Sequence, residues 1–204
     1  LALPPDIEAV WWPRFRKQAD GIVAWERGRL VLSRHAEVRA GRTPIGKSGV
    51  TLSGFADRID LLPAGHADII DYKTGSYPSK GQAHTLLSPQ LALEAALLRR
   101  GAFAEVGVQE PAELLFVRLK ANGQVDEESI LKHSVSLKSA PGLAEESWTR
   151  LGELLAHYAD PAVGYKSRAL PFRENEPEGD YDHLARVLEW SAGGDGTDAG
   201  EGDA

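Results

Sequence analysis

The chain has 204 residues, 42% hydrophobic and 26% charged, which suits one domain with a packed core and excludes a disordered or fibrous polypeptide. It has no cysteine, so disulfides and thiolate metal sites are excluded and a reducing, cytoplasmic setting fits. The net charge of −7 argues against a strongly basic nucleic-acid binder. However, four of those seven excess charges (Asp195, Asp198, Glu201 and Asp203) lie in a terminal stretch without a base, so three remain over residues 1–190.

From Asp6 to about Leu30, Ile7, Val10, Trp11 and Phe15, then Ile22, Val23 and Trp25, recur at helical spacing, with a break expected near Asp20-Gly21. Val31 to Ala40 alternates as a strand does. A polar turn from Gly41 to Gly49 leads into a second strand, Val50 to Leu62. Pro63-Ala64-Gly65 returns the chain as a third strand, Ala67 to Lys73. Thr74 to Leu87, rich in Gly, Ser, Lys and Pro, reads as a mobile loop.

Ser88-Pro89 predicts a helix start, with Ser as cap and Pro in the first turn. That helix runs to Arg99 or Arg100 and stops at Gly101. Glu113 to Lys120 predicts a fourth strand, turned by Asn122-Gly123 into a further short one. A helix follows from about Leu143 to Tyr158, and Tyr181 to Trp190 makes a last short helix. Ser191 to Ala204 is small, acidic and Gly-rich, and is expected to be disordered. The order is helix, three antiparallel strands, helix, strand and helical additions, an α/β sandwich around a mixed sheet with one domain over residues 1–190. No apolar run reaches membrane-spanning length, so a membrane is not an expected partner. The sequence begins at Leu1 and lacks methionine, and is expected to be part of a longer protein.

The informative stretch is Gly54-Phe55-Ala56-Asp57-Arg58-Ile59-Asp60 followed by Asp71-Tyr72-Lys73-Thr74-Gly75. Residues two apart on a strand share a face, so Asp71 and Lys73 point the same way. Folding the second and third strands about a turn centred on Ala64 opposes Leu62 with His66, Leu61 with Ala67, Ile59 with Ile69 and Asp57 with Asp71. Opposed Cβ atoms lie roughly 4.5–5.5 Å apart. Two bare carboxylates at that distance repel unless a positive charge sits between them. A hard divalent cation, Mg²⁺ or Mn²⁺, is the natural occupant of such an all-oxygen site. Lys73 adds a nearby positive charge that could orient a water. A lone Asp-x-Lys is ordinarily a solvated strand face; here Ile59, Ile69 and Ile70 make the strands half-buried, where unpaired charge is expensive.

These residues together resemble the PD-(D/E)XK nuclease superfamily. More narrowly, Asp57-Arg58-Ile59-Asp60, Asp71-Tyr72-Lys73-Thr74-Gly75 and Pro89-Gln90-Leu91 resemble the RecB-family nuclease domain. Trp11-Trp12-Pro13-Arg14-Phe15, Tyr181 to Arg186 and Glu189-Trp190 are similar to segments of the AddB-type subunits of bacterial helicase–nuclease complexes. The resemblance implies a restriction-endonuclease-like core and a Mg²⁺- or Mn²⁺-dependent deoxyribonuclease, an exonuclease rather than an endonuclease, acting in double-strand break repair and recombination. It implies that Asp57 and Asp71 bind the metal together with the Tyr72 backbone carbonyl. Lys73 would position or activate the attacking water, and Gln90 would support the site from the facing helix. The implied partners are DNA and a helicase–nuclease subunit, in the bacterial cytoplasm.

Three features depart from the pattern. The His-bearing helix usual upstream of the first strand has no match in residues 1–30; Glu26 is a conceivable substitute, although a helix-end Glu commonly faces solvent. The position four after the helix Gln, often Tyr in the family, is Glu94, on the same helix face as Gln90. Some AddB-type domains hold an iron–sulfur cluster on cysteines, and none is expected here. These departures leave open an alternative, a catalytically incomplete nuclease fold serving in DNA binding or assembly. The histidines His35, His66, His84, His133, His157 and His183 show no metal-ligand spacing. Lys47, Lys80, Arg14, Arg16 and Lys17 are candidate phosphate contacts.

Overall fold

In the computed structural model, which describes residues 5–73 and 78–164, the chain opens with helix α1, Pro5–Arg27. Three strands follow, β1 (Ser33–Pro44), β2 (Thr51–Leu62) and β3 (His66–Lys73), then helices α2 (Lys80–His84) and α3 (Gln90–Arg99). Strands β4 (Glu110–Leu119) and β5 (Val125–Ser129), a small hairpin of β6 (Lys132–His133) and β7 (Ser136–Leu137), and helix α4 (Ala140–Tyr158) complete the described chain. The main sheet has the order β1-β2-β3-β4-β5; only β3 and β4 run parallel, and the other neighbours are antiparallel. This is the mixed sheet flanked by helices that the element order predicts.

Apolar side chains leave both faces of the sheet. Ile59, Ile69, Leu114 and Phe116 pack against Leu91, Ala95 and Leu98 of α3 and Leu143 of α4. On the other face, Ile70, Leu115 and Val117 meet Trp25 of α1, with Tyr72 and Val125 at the margin. Burying one large apolar side chain contributes roughly 1.5–3 kcal/mol, so these two layers are the main source of stability.

Local chemistry explains where elements differ from expectation. Helix α1 runs unbroken through Asp20-Gly21. Gly21 meets the backbone of Gly123 in the β4–β5 turn so closely that a Cβ on either residue would overlap the other element, and Gly123 also has φ +87°. Tertiary contact thus offsets the helix propensity that glycine forfeits. The segment read as one long loop holds α2, opened by a capping box in which Ser79 accepts from the Gln82 amide and Gln82 accepts from the Ser79 amide. Ser88 does not cap α3; Pro89 occupies that position, and its carbonyl accepts from the Leu93 amide at 2.9 Å. Strand β4 starts three residues earlier than predicted, at Glu110, because it pairs in parallel with His66. The expected helix over 181–190 and the acidic tail over 191–204 lie outside the described residues.

The face under α1 also buries charge. Arg29 reaches Asp60 at 2.9 Å, Asp68 at 2.8 Å and Glu127 at 3.2 Å. Arg58 pairs with Asp60 at 2.6 Å and with Glu26, and donates to the Tyr72 hydroxyl at 2.9 Å. Both guanidiniums lie over the Trp25 ring, at 5.0 and 5.3 Å from its centroid. A cleft of about 480 Å³ beside them is lined by Trp25, Arg29, Asp68 and Glu127, whose charges are already paired.

The chain divides into two compact units, Leu1–Ala156 and His157–Ala204. The second is described only at the end of α4 and in the turn that follows, where the Asp160 carboxylate accepts the Ala162 amide at 2.9 Å. Among the described residues no helix is long and apolar enough to cross a membrane.

Removing a buried cation that serves several acids leaves them uncompensated. Arg29→Met keeps an unbranched stem near Trp25 but loses the guanidinium, and is expected to destabilise the fold by about 3 kcal/mol. A urea titration should show a lower midpoint at unchanged slope.

Candidate functional site

The turn Pro63–Gly65 joins β2 to β3 in one register: Leu62 opposes His66, Leu61 opposes Ala67, Asp60 opposes Asp68, Ile59 opposes Ile69 and Arg58 opposes Ile70. The pairs expected from the sequence therefore form as far as Arg58. The next step would oppose Asp57 and Asp71, and there the ladder ends. The Asp57 carboxylate instead accepts the backbone amide of Tyr72 at 2.9 Å. Across β1 the same level is disturbed: Glu37 has φ +52° and lies between the pairs Ala36–Arg58 and Val38–Ala56. Ala56 and Ile59 enter the same core cluster although they are three residues apart, so the strand's alternation resets at Asp57. This irregularity turns Asp57 toward the end of β3, where its carboxylate meets the chain between Asp71 and Lys73.

Asp71 and Lys73 extend from β3 toward α3, as period-two alternation requires. Lys73 Nζ donates to Asp71 Oδ1 at 2.9 Å and lies 2.6 Å from Oδ2. It also stands 5.8 Å from the centroid of the Phe116 ring on β4. Gln90, the first residue of α3, donates through Nε2 to Asp71 Oδ1 at 2.7 Å and to Glu94 Oε1 at 3.1 Å. The structure thus brings together Asp57, Asp71, Lys73 and Gln90, and adds Glu94, which sits one helical turn beyond Gln90 and is 7% exposed.

The electrostatics are those of a crowded acidic centre with one local base. Burial raises the Asp71 carboxyl above its ordinary value and the Asp57 charge adds to the rise, while Lys73 and Gln90 oppose it. Burial pushes the Glu94 carboxyl up to about 8, with the charges of Asp71 and Asp57 adding to that rise. Among the described residues, the buried oxygens Asp71 Oδ2, Glu94 Oε2 and Glu113 Oε2 accept no hydrogen bond, and the first two belong to this cluster. Asp71 Oδ2 still has the Lys73 ammonium 2.6 Å away, whereas a buried acceptor such as Glu94 Oε2, with no hydrogen bond, is rare and costly. Carboxylate oxygens are the right donors for a hard divalent cation, so the donor chemistry fits one. Among the described residues no three His, Asp or Glu side chains converge closely enough to hold it alone, so backbone carbonyl and water ligands would be needed.

Other candidates are placed elsewhere. Glu26 pairs with Arg58 and, at 2.8 Å, with Arg34, on the α1 side of the sheet and away from Asp71. His84 is buried and bonds the Ile130 carbonyl at 2.8 Å and the Ser136 hydroxyl at 2.9 Å, a structural role that ties α2 to the β6–β7 hairpin. Trp25 and Trp148 each lie against a guanidinium, whereas Trp11 and Trp12 are exposed. The signal for Glu94 was its spacing from Gln90; its burial could not be read from the sequence.

Residues 6–176 match the PD-(D/E)XK nuclease superfamily. Shorter stretches resemble uncharacterized proteins from Rickettsia. One of Rickettsia felis is 39% identical over 62 residues, 30% of this chain and 7% of that protein. The protein RC0550 of Rickettsia conorii is 38% identical over 56 residues, 28% of this chain and 7% of its own length. The protein RT0391 of Rickettsia typhi is 37% identical over 62 residues, again 30% and 7%. The matched stretch thus spans only a small part of these relatives.

The raised carboxyl of Glu94 has a consequence for stability. It binds a proton in the folded chain up to about pH 8, while in the unfolded chain it ionises near its ordinary value of 4.5. Its contribution is therefore fully present below about pH 4.5 and is lost as pH rises through about 8. In metal-free buffer, Glu94→Gln should flatten the fall in urea midpoint across that window. Parallel profiles for the two proteins would contradict it.

Proposed function

The chain belongs to the PD-(D/E)XK nuclease superfamily, and from that premise we propose that this domain hydrolyses DNA phosphodiester bonds with the help of a divalent cation, Mg²⁺ or Mn²⁺. The observation that carries the reading is one contact set: Asp71 and Lys73 on one face of β3, Gln90 bonded to Asp71, and Asp57 held against the Tyr72 amide. Asp57, Asp71 and the Tyr72 backbone carbonyl are the proposed cation ligands. A cation bound there supplies charge neutralisation at the phosphate and a more acidic attacking water. Lys73 presents its ammonium hydrogens to that water or to the phosphate oxygens. Gln90 orients Asp71 from α3. Burial of the centre strengthens each of these electrostatic contacts.

The finer assignment is to the RecB family, AddB-type, acting as an exonuclease within a helicase–nuclease complex in double-strand break repair. The motif words around Asp57, Asp71 and Gln90 support it, and a cysteine-free chain suits the cytoplasm where such complexes work. A partner subunit is supported by α1, which leaves Trp11, Trp12 and Phe15 exposed as an apolar stripe of the kind that meets another protein surface. A second reading, a nuclease fold kept for DNA binding or assembly, is favoured by one observation. Among the described residues, no three acidic or histidine side chains form a ready-made cation site.

The two readings separate in one assay, degradation of labelled linear single-stranded DNA in Mg²⁺, Mn²⁺ or EDTA. The nuclease reading expects metal-dependent cleavage that falls roughly a hundredfold or more in Asp71→Asn and in Lys73→Ala, with the fold intact by thermal melting. An exonuclease leaves covalently closed circular DNA untouched. Cleavage that persists in Asp71→Asn would sink the assignment of the site.

A further inference from the structure

Gln90 stands at the exposed mouth of the centre, and Glu94 lies behind it, 7% exposed. Both hydrogens of the Gln90 Nε2 are taken by carboxylate oxygens, Asp71 Oδ1 at 2.7 Å and Glu94 Oε1 at 3.1 Å. A flipped amide would turn its carbonyl oxygen onto the Asp71 oxygen that already accepts from Lys73, so Asp71 fixes which way the amide points and the second amide hydrogen falls to Glu94. Asp71 alone is a weaker anchor for an exposed glutamine, because its Oδ1 is shared with Lys73 Nζ.

We propose that Glu94 is a positioning residue of this centre: through the Gln90 amide it holds the Asp71 carboxylate with Oδ1 turned to its donors and Oδ2 kept for a cation. The inference rests on the reading of the centre given above. Oδ1 is held by a side chain anchored to α3. Oδ2 accepts no hydrogen bond, and the Lys73 ammonium 2.6 Å from it is a charge on a flexible side chain that can move aside. A buried carboxyl is a costly residue unless it is used, and the contact made by its Oε1 is the one to Gln90. Glutamine is a close copy of Glu94 in its neutral form and keeps an acceptor for Gln90.

A double-mutant cycle on the whole 204-residue chain tests this, with Mn²⁺ affinity measured by calorimetry and DNA cleavage measured alongside. Glu94→Leu and Gln90→Ala are each expected to weaken Mn²⁺ binding about tenfold or more, as loss of a partner behind a metal ligand does. The double variant should be no weaker than the worse single one. Glu94→Gln should recover most of the affinity, and the cleavage defect of Glu94→Leu should lie in kcat rather than in KM for DNA. If Glu94→Leu does not fold, Glu94→Ala takes its place. Wild-type affinity in Glu94→Leu, or losses that multiply in the double variant, would overturn the proposal. A wild-type protein that binds Mn²⁺ but cleaves no DNA defeats the nuclease reading and leaves the cycle readable; one that binds no Mn²⁺ defeats both.

Discussion

The hydrogen-bonded register between β2 and β3 is the constraint on which the rest of this molecule depends. Side chains on a strand alternate with a period of two, so a slip of one residue would turn one strand over, carrying Asp71 and Lys73 to the α1 side or Arg58 and Asp60 to the α3 side. The tight turn Pro63–Gly65 and the burial of Ile59, Ile69 and Ile70 hold the register where it is. Each isoleucine has a matching apolar layer on its own side of the sheet, and either slip would force at least one into polar surroundings.

The two faces differ in how their buried acids are paired. Under α1, each acid named has a guanidinium partner: Asp60, with no solvent exposure, has two against it, and Asp68 and Glu127 share Arg29, although burial still raises the Asp68 carboxyl. That face is a structural network, and Trp25 completes it by lying against both arginines. Under α3, acids outnumber bases. Asp57, Asp71 and Glu94 share one lysine, two carboxyl oxygens accept no hydrogen bond, and burial raises the carboxyls of Asp71 and Glu94. Unbalanced charge of this sort lowers stability, and a chain tolerates it where a ligand or a reaction makes use of it.

Backbone irregularity and the helix start cooperate at that centre. The end of the β2–β3 ladder frees Asp57 to take the Tyr72 amide, which fixes the peptide between Asp71 and Lys73. Placing Gln90 at the first turn of α3 puts a neutral donor on Asp71 without adding a second base. The result is a cluster whose dipoles are set by secondary structure, so little reorganisation is required when charge arrives.

Much of this was legible in the residues themselves. Alternation, turn chemistry and the spacing of Asp57, Asp71, Lys73 and Gln90 determine the order of elements, the β2–β3 register and the shared face of Asp71 and Lys73, because those properties depend on residues near each other in sequence. The long-range contacts were not legible. Gly21 reads as a helix break until Gly123 is brought against it, and Glu26 reads as a helix-end acid until Arg58 and Arg34 reach it. Glu94 could have faced solvent or the centre with equal right; only the packing of α3 onto β3 and β4 decided that it is buried beside Gln90. Burial and partner choice are set by the whole fold, and a pattern confined to one segment carries no record of what the fold brings against it.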